Sequence, residues 1–193
     1  RCPDPVASEA MSERIRKVMD ERETLGGVIE VVAIGLPPGL GSHVQWDRRL
    51  EARLGAAALS VQAIKGVEIG PAFENAGMPG TQVHDEIQTS NAKSQTSGVM
   101  RPTNRAGGIE GGMTNGEPVI VRAAMKPIPT TITPLRSVDL ATGEEAATQY
   151  QRSDVCAVPA ASIVGEAMVA WVLADALIEK LGGDSIEEMA NRT

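Results

Sequence analysis

The fold class of this chain is decided by the sequence PAASIVGEAMVAWVLADALIEKL, residues 159–181. It is apolar on nearly all sides and stops at Gly182–Gly183, which predicts a helix ending there. Because a helix with a solvent-exposed face has a polar stripe along that face, we expect this helix to be covered by sheets or by a partner subunit. Two acidic residues, Glu166 and Asp175, interrupt the apolar stretch, and the uninterrupted part between them is too short to span a bilayer. We expect Glu166 to be paired or to lie at a subunit boundary. The pattern favours a core helix.

Upstream of this helix, predicted helices and strands alternate without a regular period or repeat. Residues 74–104 are polar and aperiodic, which predicts a long mobile loop. We therefore expect one domain over residues 1–193, of the α+β class rather than doubly wound. The predicted elements are a helix after Asp4–Pro5 that ends before Gly26, strands over 28–34 and 117–125, a helix from Trp46 that ends at Gly66, and a short strand over 137–140.

The composition excludes several classes of protein. Of 193 residues, 42% are apolar and 22% charged, as in globular domains. The net charge of −7 and only four aromatic residues argue against a nucleic-acid partner, which needs cations and stacking platforms. Cys2 and Cys156 form no C-x-x-C pair, so neither a disulfide framework nor a zinc ribbon is indicated. We expect a cytoplasmic protein, since the first residues do not resemble a signal peptide.

Five glycines fall within RAGGIEGGMTNG, Arg105–Gly116, which we call the glycine segment. Such density lets backbone N–H groups approach an anion or a flat ring closely. The spacing differs from the dinucleotide-binding fingerprint, and no phosphate-binding G-x-x-x-x-G-K-[ST] occurs in the sequence. The alternative is a glycine-rich hairpin region. Asn115–Gly116, a strong turn signal, precedes the predicted strand over 117–125.

Two further segments hold a cation beside other polar groups. In the KPIPT segment, Lys126–Thr130, two prolines stiffen the chain between an ammonium and a hydroxyl, which suits a phosphate or a polar ring edge. In the RSD segment, Arg152–Asp154, a guanidinium and a carboxylate precede the apolar helix. Asp154, desolvated by that helix, would act as a base near neutrality. For the KPIPT segment, the alternative is a solvated lysine where an edge strand ends. For the RSD segment, it is a local Arg–Asp pair that caps the helix.

His43 and His84 are the two imidazoles of the chain. His84-Asp85-Glu86 superficially resembles a set of metal ligands, but adjacent residues of a strand point to opposite faces, so we expect no metal site. Neither histidine belongs to a Ser-His-Asp order with a nucleophile elbow. The histidines therefore carry no predicted catalytic role.

Together, these motifs resemble those of one family. The glycine segment, the KPIPT segment and Arg152–Pro159, in this order, are similar to the corresponding stretches of chorismate synthase. Residues 35–41, GLPPGLG, and 62–70, QAIKGVEIG, match the same enzyme, so the resemblance runs along the whole chain. It implies a β-α-β sandwich, with helices layered between antiparallel sheets, assembled as a homotetramer. That assembly would bury the apolar final helix.

The resemblance also implies an activity and a cofactor. The family enzyme is a lyase of the shikimate pathway of aromatic amino-acid biosynthesis, which converts 5-enolpyruvylshikimate 3-phosphate to chorismate by 1,4-elimination of phosphate. It uses reduced FMN, which lends electron density to the substrate and recovers it, and is associated with NADP. By position, Asp154 matches the carboxylate that takes a proton from the flavin N5 region. The implied flavin contacts are Gln62, Ala63, Gly111, Lys126, Pro127, Ile128, Pro129, Thr130, Arg152 and Ser153.

One departure concerns the start of the chain. Family members begin with a long segment that carries two catalytic histidines and several arginines for the substrate, and nothing in this sequence matches it. We therefore expect the C-terminal half or core of the enzyme, with much of the flavin-contacting surface but without normal turnover. The second hypothesis is a non-catalytic oligomerising core that does not bind flavin, and the third is an unrelated anion-binding domain.

Overall fold

The computed structural model describes residues 2–89 and 99–192. Within these ranges, helices and strands alternate along the chain. In chain order the elements are α1 (Pro5–Asp20), β1 (Gly27–Ala33), α2 (Leu50–Ser60), β2 (Ile64–Ile69), α3 (Ala72–Asn75), α4 (Gly80–Val83), β3 (Gln88–Thr89), β4 (Val99–Met100), β5 (Ile109–Glu110), β6 (Met113–Thr114), β7 (Val119–Met125), β8 (Arg136–Val138), β9 (Glu145–Ala147), α5 (Val158–Leu181) and α6 (Ile186–Ala190).

The centre of the fold is a three-stranded antiparallel sheet in the order β1-β7-β2. Along β1, the pairing with β7 runs from Gly27 opposite Met125 to Ala33 opposite Val119. On the other side of β7, β2 pairs antiparallel with a register shift near its start. The remaining strands form the two-stranded pairs β3–β4, β5–β6 and β8–β9. Helices packed on antiparallel sheets confirm the α+β prediction.

The core lies between one face of this sheet and the helices α2 and α5. Gly165 lets α5 approach β1 closely, because a Cβ atom there would come within 2.7 Å of the Ile29 Cδ1 atom. Along β7, alternate residues point into the core, as expected for a strand with one covered face. The most deeply buried large side chains of this core are Leu40, Leu50, Leu54, Val119 and Val121.

α5 has one covered face and one uncovered face. Val172 is only 7% exposed, whereas Trp171, the preceding residue, is 75% exposed. By length and apolar composition the helix could cross a membrane, since an 18-residue stretch of it has a mean hydropathy of 1.7, but its covered face belongs to the core. The sheet therefore covers one side, as predicted, and the described chain does not cover the other. Glu166 is exposed.

The prediction of a helix start at Asp4 is confirmed. The Asp4 Oδ1 atom accepts hydrogen bonds from the backbone N–H groups of Val6 and Ala7, at 2.8 and 3.2 Å. These bonds satisfy two of the donors that the first helical turn leaves unpaired. The helix, α1, ends at Asp20, and Val18 is its buried residue.

The predicted boundaries of the second helix were wrong at both ends. Trp46 lies in a turn, α2 begins at Leu50, and Gly66 lies inside β2 rather than at the end of the helix. The apolar spacing continues past the helix because Ile64, the first residue of β2, packs on the same core as Leu54. An apolar stripe therefore crossed a boundary between two kinds of secondary structure.

The predicted loop over residues 74–104 has regular structure in its described part. It contains α4 and the β3–β4 pair, and α3 ends at Asn75. The Asn75 side chain donates a hydrogen bond to the Arg105 carbonyl at 2.8 Å, which attaches the loop to the glycine segment. Residues 90–98 lie outside the described residues, and the mobility of the loop stays a prediction.

Candidate functional site

Gln62 and Ala63 connect α2 to β2, next to the end of β7. Ala63 has a φ of +66°, in the left-handed region that residues with a Cβ atom rarely adopt. Its carbonyl accepts a hydrogen bond from the backbone N–H of Lys126 at 2.9 Å. This turn therefore fixes the start of the KPIPT segment beside the exposed Gln62.

Thr24 and Leu25 join the KPIPT segment to the RSD segment. The Thr24 hydroxyl donates to the Ile128 carbonyl at 2.6 Å. The backbone N–H of Leu25 donates to the carbonyl of Val155, directly after the RSD segment, at 2.8 Å. Two motifs that lie more than 20 residues apart in the sequence thus meet at one edge of the central sheet.

A small cleft lies where the two segments meet. The hydroxyl oxygens of Thr130 and Ser153 are 3.5 Å apart, and Tyr150 and Asp154 line the same cleft. Its volume is about 20 Å³. Sites that enclose a small molecule measure roughly 300–1,000 Å³, so this chain does not enclose a flat ring here. A ligand of that size would lie against the open surface.

The cations of this edge are exposed. Lys126 and Arg152 have no carboxylate at ion-pair distance within the described ranges, whereas Arg122, at the middle of β7, pairs with both Glu30 and Glu68. An unpaired ammonium and an unpaired guanidinium are available to an anionic group such as a phosphate. Pro127 and Pro129 are exposed as well, and Ile128 is half-buried.

Asp154 is exposed, contrary to the prediction that the apolar helix desolvates it. α5 begins four residues later at Val158, and its apolar outer face is itself open to solvent. The alternative interpretation, a local cap, is also wrong: Asp154 forms no ion pair with Arg152, and no side chain caps the start of α5. Desolvation of this carboxylate therefore requires a cover from outside the described chain.

Gly111 lies apart from this cluster. Gly111 and Gly112 form the two-residue turn of the β5–β6 hairpin, so the glycine segment does contain a hairpin. Its role as a ligand contact stays a prediction. The Gly112 carbonyl accepts a hydrogen bond from the Leu50 N–H at 2.9 Å, which places the turn at the start of α2. Ala63 follows the other end of this 11-residue helix, which is roughly 16 Å long. The single chain therefore does not bring Gly111 to the other implied contacts.

Asp85 organises the start of the glycine segment, a role that no sequence motif indicates. Its Oδ1 atom accepts hydrogen bonds from the Thr103 hydroxyl at 2.5 Å and the Arg105 N–H at 2.8 Å, and its Oδ2 atom accepts one from the Ala106 N–H at 2.8 Å. Partial burial raises the pKa of Asp85, but these bonds and the nearby charge of Arg101 outweigh it and lower the pKa below its ordinary value.

No local pattern could have revealed this role, because the three donors lie 18 to 21 residues from the carboxylate. The triplet around Asp85 instead resembled a set of metal ligands. Across residues 2–89 and 99–192, no group of three or more His, Cys, Asp or Glu side chains is arranged to hold a metal ion.

Comparison with known proteins identifies the family. Residues 1–178 match the family model described as "Chorismate synthase". The chorismate synthase of Trichlorobacter lovleyi is 59% identical over 191 residues, which cover 97% of this chain and 49% of that protein. The chorismate synthase of Aquifex aeolicus is 57% identical over 192 residues, which cover 100% of this chain and 47% of that protein.

A solved structure gives the same result. It is described as "Crystal Structure of Chorismate Synthase" and aligns with a TM-score of 0.79 at 50% identity, over 98% of this chain and 48% of its own. The chain thus spans about half the length of the curated relatives it matches. In sequence and in fold alike, this chain belongs to the chorismate synthase family.

Proposed function

We propose that this chain supplies flavin-binding surface to a chorismate synthase that uses reduced FMN. The reaction is the 1,4-elimination of phosphate and a ring proton from 5-enolpyruvylshikimate 3-phosphate, which gives chorismate. The observation that carries the proposal is the meeting of Ala63, the KPIPT segment and the RSD segment at one sheet edge, where Lys126 and Arg152 are unpaired among the described residues.

The chemistry of this edge suits a flavin nucleotide. Lys126 and Arg152 would hold its phosphate or the electron-rich edge of its ring, and the Thr130 and Ser153 hydroxyls would donate hydrogen bonds to ring oxygens and nitrogens. Because Pro127 and Pro129 restrict the backbone, little conformational entropy is lost when the segment binds. When bound, reduced FMN supplies electron density that assists departure of the phosphate.

Asp154 is the proposed proton-holding group beside the flavin N5 region. It lines the cleft with Ser153 and has no cationic partner at ion-pair distance among the described residues. A protein surface that covers this edge would take the carboxylate out of water, and burial favours the neutral, protonated form of a carboxylic acid. The same covering surface would keep water away from the proton that is removed from the substrate ring.

We also propose that the active form is a cytoplasmic homotetramer, associated with NADP, and that the 193-residue chain does not turn over substrate at a normal rate. Gly111 lies away from the cluster and Asp154 is exposed, which supports a site completed by further protein. The second candidate, an oligomerising core that does not bind flavin, is favoured by the cleft of about 20 Å³ and by the exposed Trp171.

Titration of the chain with FMN, followed by flavin fluorescence and by sedimentation, separates the two candidates. We expect saturable binding that weakens at least tenfold in Lys126→Ala and in Arg152→Ala. Arg14→Ala, which removes an exposed cation of α1, serves as the control and should bind like the wild type. A stable oligomer that ignores FMN would establish the second candidate, and formation of chorismate at a normal rate by the chain alone would refute the proposed incompleteness.

A further inference from the structure

We propose that Asp85 is a positioning residue of the flavin site: it holds the glycine segment so that Gly111 is presented to the cofactor. This inference rests on the proposed function. It is carried by the three hydrogen bonds that converge on one carboxylate, from the Thr103 hydroxyl and from the consecutive N–H groups of Arg105 and Ala106.

The geometry requires a carboxylate. Three donors approach two oxygen atoms, and both oxygens accept. An amide in the same place has one oxygen, so its NH₂ group would face at least one N–H or O–H donor and leave that donor unpaired. A longer glutamate would displace the carboxylate by about one carbon–carbon bond from donors that the backbone holds in place. Aspartate is therefore the residue type that satisfies all three donors at once.

The anchored residues have little freedom on their other side. Asn104 accepts a hydrogen bond from the Gly108 N–H and donates one to the Pro118 carbonyl, each at 2.8 Å. Gly107 follows directly and packs on Gly70 so closely that a Cβ atom on Gly107 would lie 2.6 Å from the Gly70 Cα. The first half of the glycine segment is thus held between Asp85 and the end of β2.

A second set of contacts extends this anchor to the turn. Arg101, whose charge acts on Asp85, forms an ion pair with Glu110 at 2.9 Å, and its side chain is only 14% exposed. Glu110 immediately precedes Gly111 and also accepts a hydrogen bond from the Asn115 side chain at 2.8 Å. Because Arg101 pairs with Glu110 and its charge also acts on Asp85, a change at Asp85 is expected to alter the position of the turn as well.

Hydrogen exchange of the wild-type chain and of Asp85→Asn tests the structural part directly. We expect at least tenfold faster exchange at the Arg105 or Ala106 amide, with unchanged exchange at the Gly108 amide, which Asn104 holds. Glu86→Gln is the matched control, since it makes the same chemical change at the neighbouring, exposed residue. Thr103→Ser should retain the wild-type exchange, and Thr103→Val should lose part of the protection. Unchanged exchange in Asp85→Asn overturns the proposal.

FMN titration of the same variants tests the functional part. In the self-associated chain, where another copy can bring Gly111 to the KPIPT and RSD segments, we expect the FMN dissociation constant to rise about tenfold in Asp85→Asn. It should stay unchanged in Glu86→Gln, and slow exchange retained in α5 would show that the core is intact. If FMN affinity is kept in Asp85→Asn but lost in Arg152→Ala, Asp85 does not position the flavin site and the proposed function stands. If the wild-type chain shows no saturable FMN binding, the proposed function fails and the inference fails with it.

Discussion

The two ends of β7 differ in how their charges are satisfied. Before β7 begins, Arg101 pairs with Glu110, Arg105 pairs with Glu74, and Asp85 accepts three hydrogen bonds. Each of these groups finds its partner within the described chain. The charges at that end are therefore paired within the described chain, although the Arg101 Nε atom is buried without a hydrogen-bond partner, and these groups hold the glycine segment in place.

At the other end of β7, the polar groups point outward. Within the described ranges, Lys126 and Arg152 have no ion-pair partner, and Asp154 is exposed. The hydroxyl oxygens of Thr130 and Ser153, at the same end, are 3.5 Å apart. Groups that a fold leaves unsatisfied cost it nothing while water solvates them, and they are free to bind a ligand. The contrast indicates that the first end uses its charges to hold the glycine segment in place, whereas the second end leaves its charges available to a ligand.

The largest expected effect concerns the same contrast on α5. We expect Val172→Glu to lower the free energy of unfolding by more than about 3 kcal/mol, because it places a charge in the core. Trp171→Glu, one residue earlier on the uncovered face, should change stability by less than about 0.5 kcal/mol and reduce self-association. Urea unfolding and sedimentation measure the two quantities. Equal loss of stability in both variants would show that the outer face is already covered.

Two glycines of the glycine segment provide the next comparison. Gly107 and Gly111 have nearly the same φ, +62° and +61°, but a Cβ atom collides with Gly70 at the first position and meets nothing within 4 Å at the second. We expect Gly107→Ala to cost more than about 3 kcal/mol of unfolding free energy and Gly111→Ala about 1–2 kcal/mol, the backbone cost alone. Urea unfolding of both variants measures this. Similar losses would mean that the close approach to Gly70 is not rigid.

Ala63 tests whether the edge with unpaired charges carries backbone strain. Replacement by glycine removes the steric cost of a positive φ but adds conformational entropy to the unfolded chain, so we expect a change of less than about 1 kcal/mol. Ala63→Val should lose about 1–2 kcal/mol, because a β-branched residue tolerates this conformation less well. Thermal unfolding compares the three proteins, and a valine variant as stable as the wild type would exclude strain at this turn.

The smallest expected effect is a pH dependence of stability at the end that precedes β7, where Asp85 lies. Because the pKa of Asp85 is lowered in the fold, the stability that its charge contributes is full above the unfolded aspartate pKa, about 3.9, and is lost as the pH falls through the folded value. The difference in unfolding free energy between wild type and Asp85→Asn should therefore be constant above about pH 5 and shrink below about pH 4. Urea unfolding at several pH values measures it, and a difference independent of pH would contradict the assignment.

Local pattern was enough to predict several parts of this molecule. The cap at Asp4, the β-branched strand that became β1 and the long apolar helix α5 all lie where the sequence indicates. The motifs also identified the family. These features depend on neighbours within a few residues, where helical period, alternation and turn chemistry act directly.

Only the tertiary structure decided how these parts combine. It ended α2 at Ser60, separated Gly111 from the KPIPT segment and joined Thr24 to Ile128 across 104 residues. It also turned Asp85 from a metal-like motif residue into the anchor of the glycine segment. The physical reason is that each of these outcomes depends on pairing and packing between distant segments, and a periodic pattern carries no information about which distant segment becomes the partner.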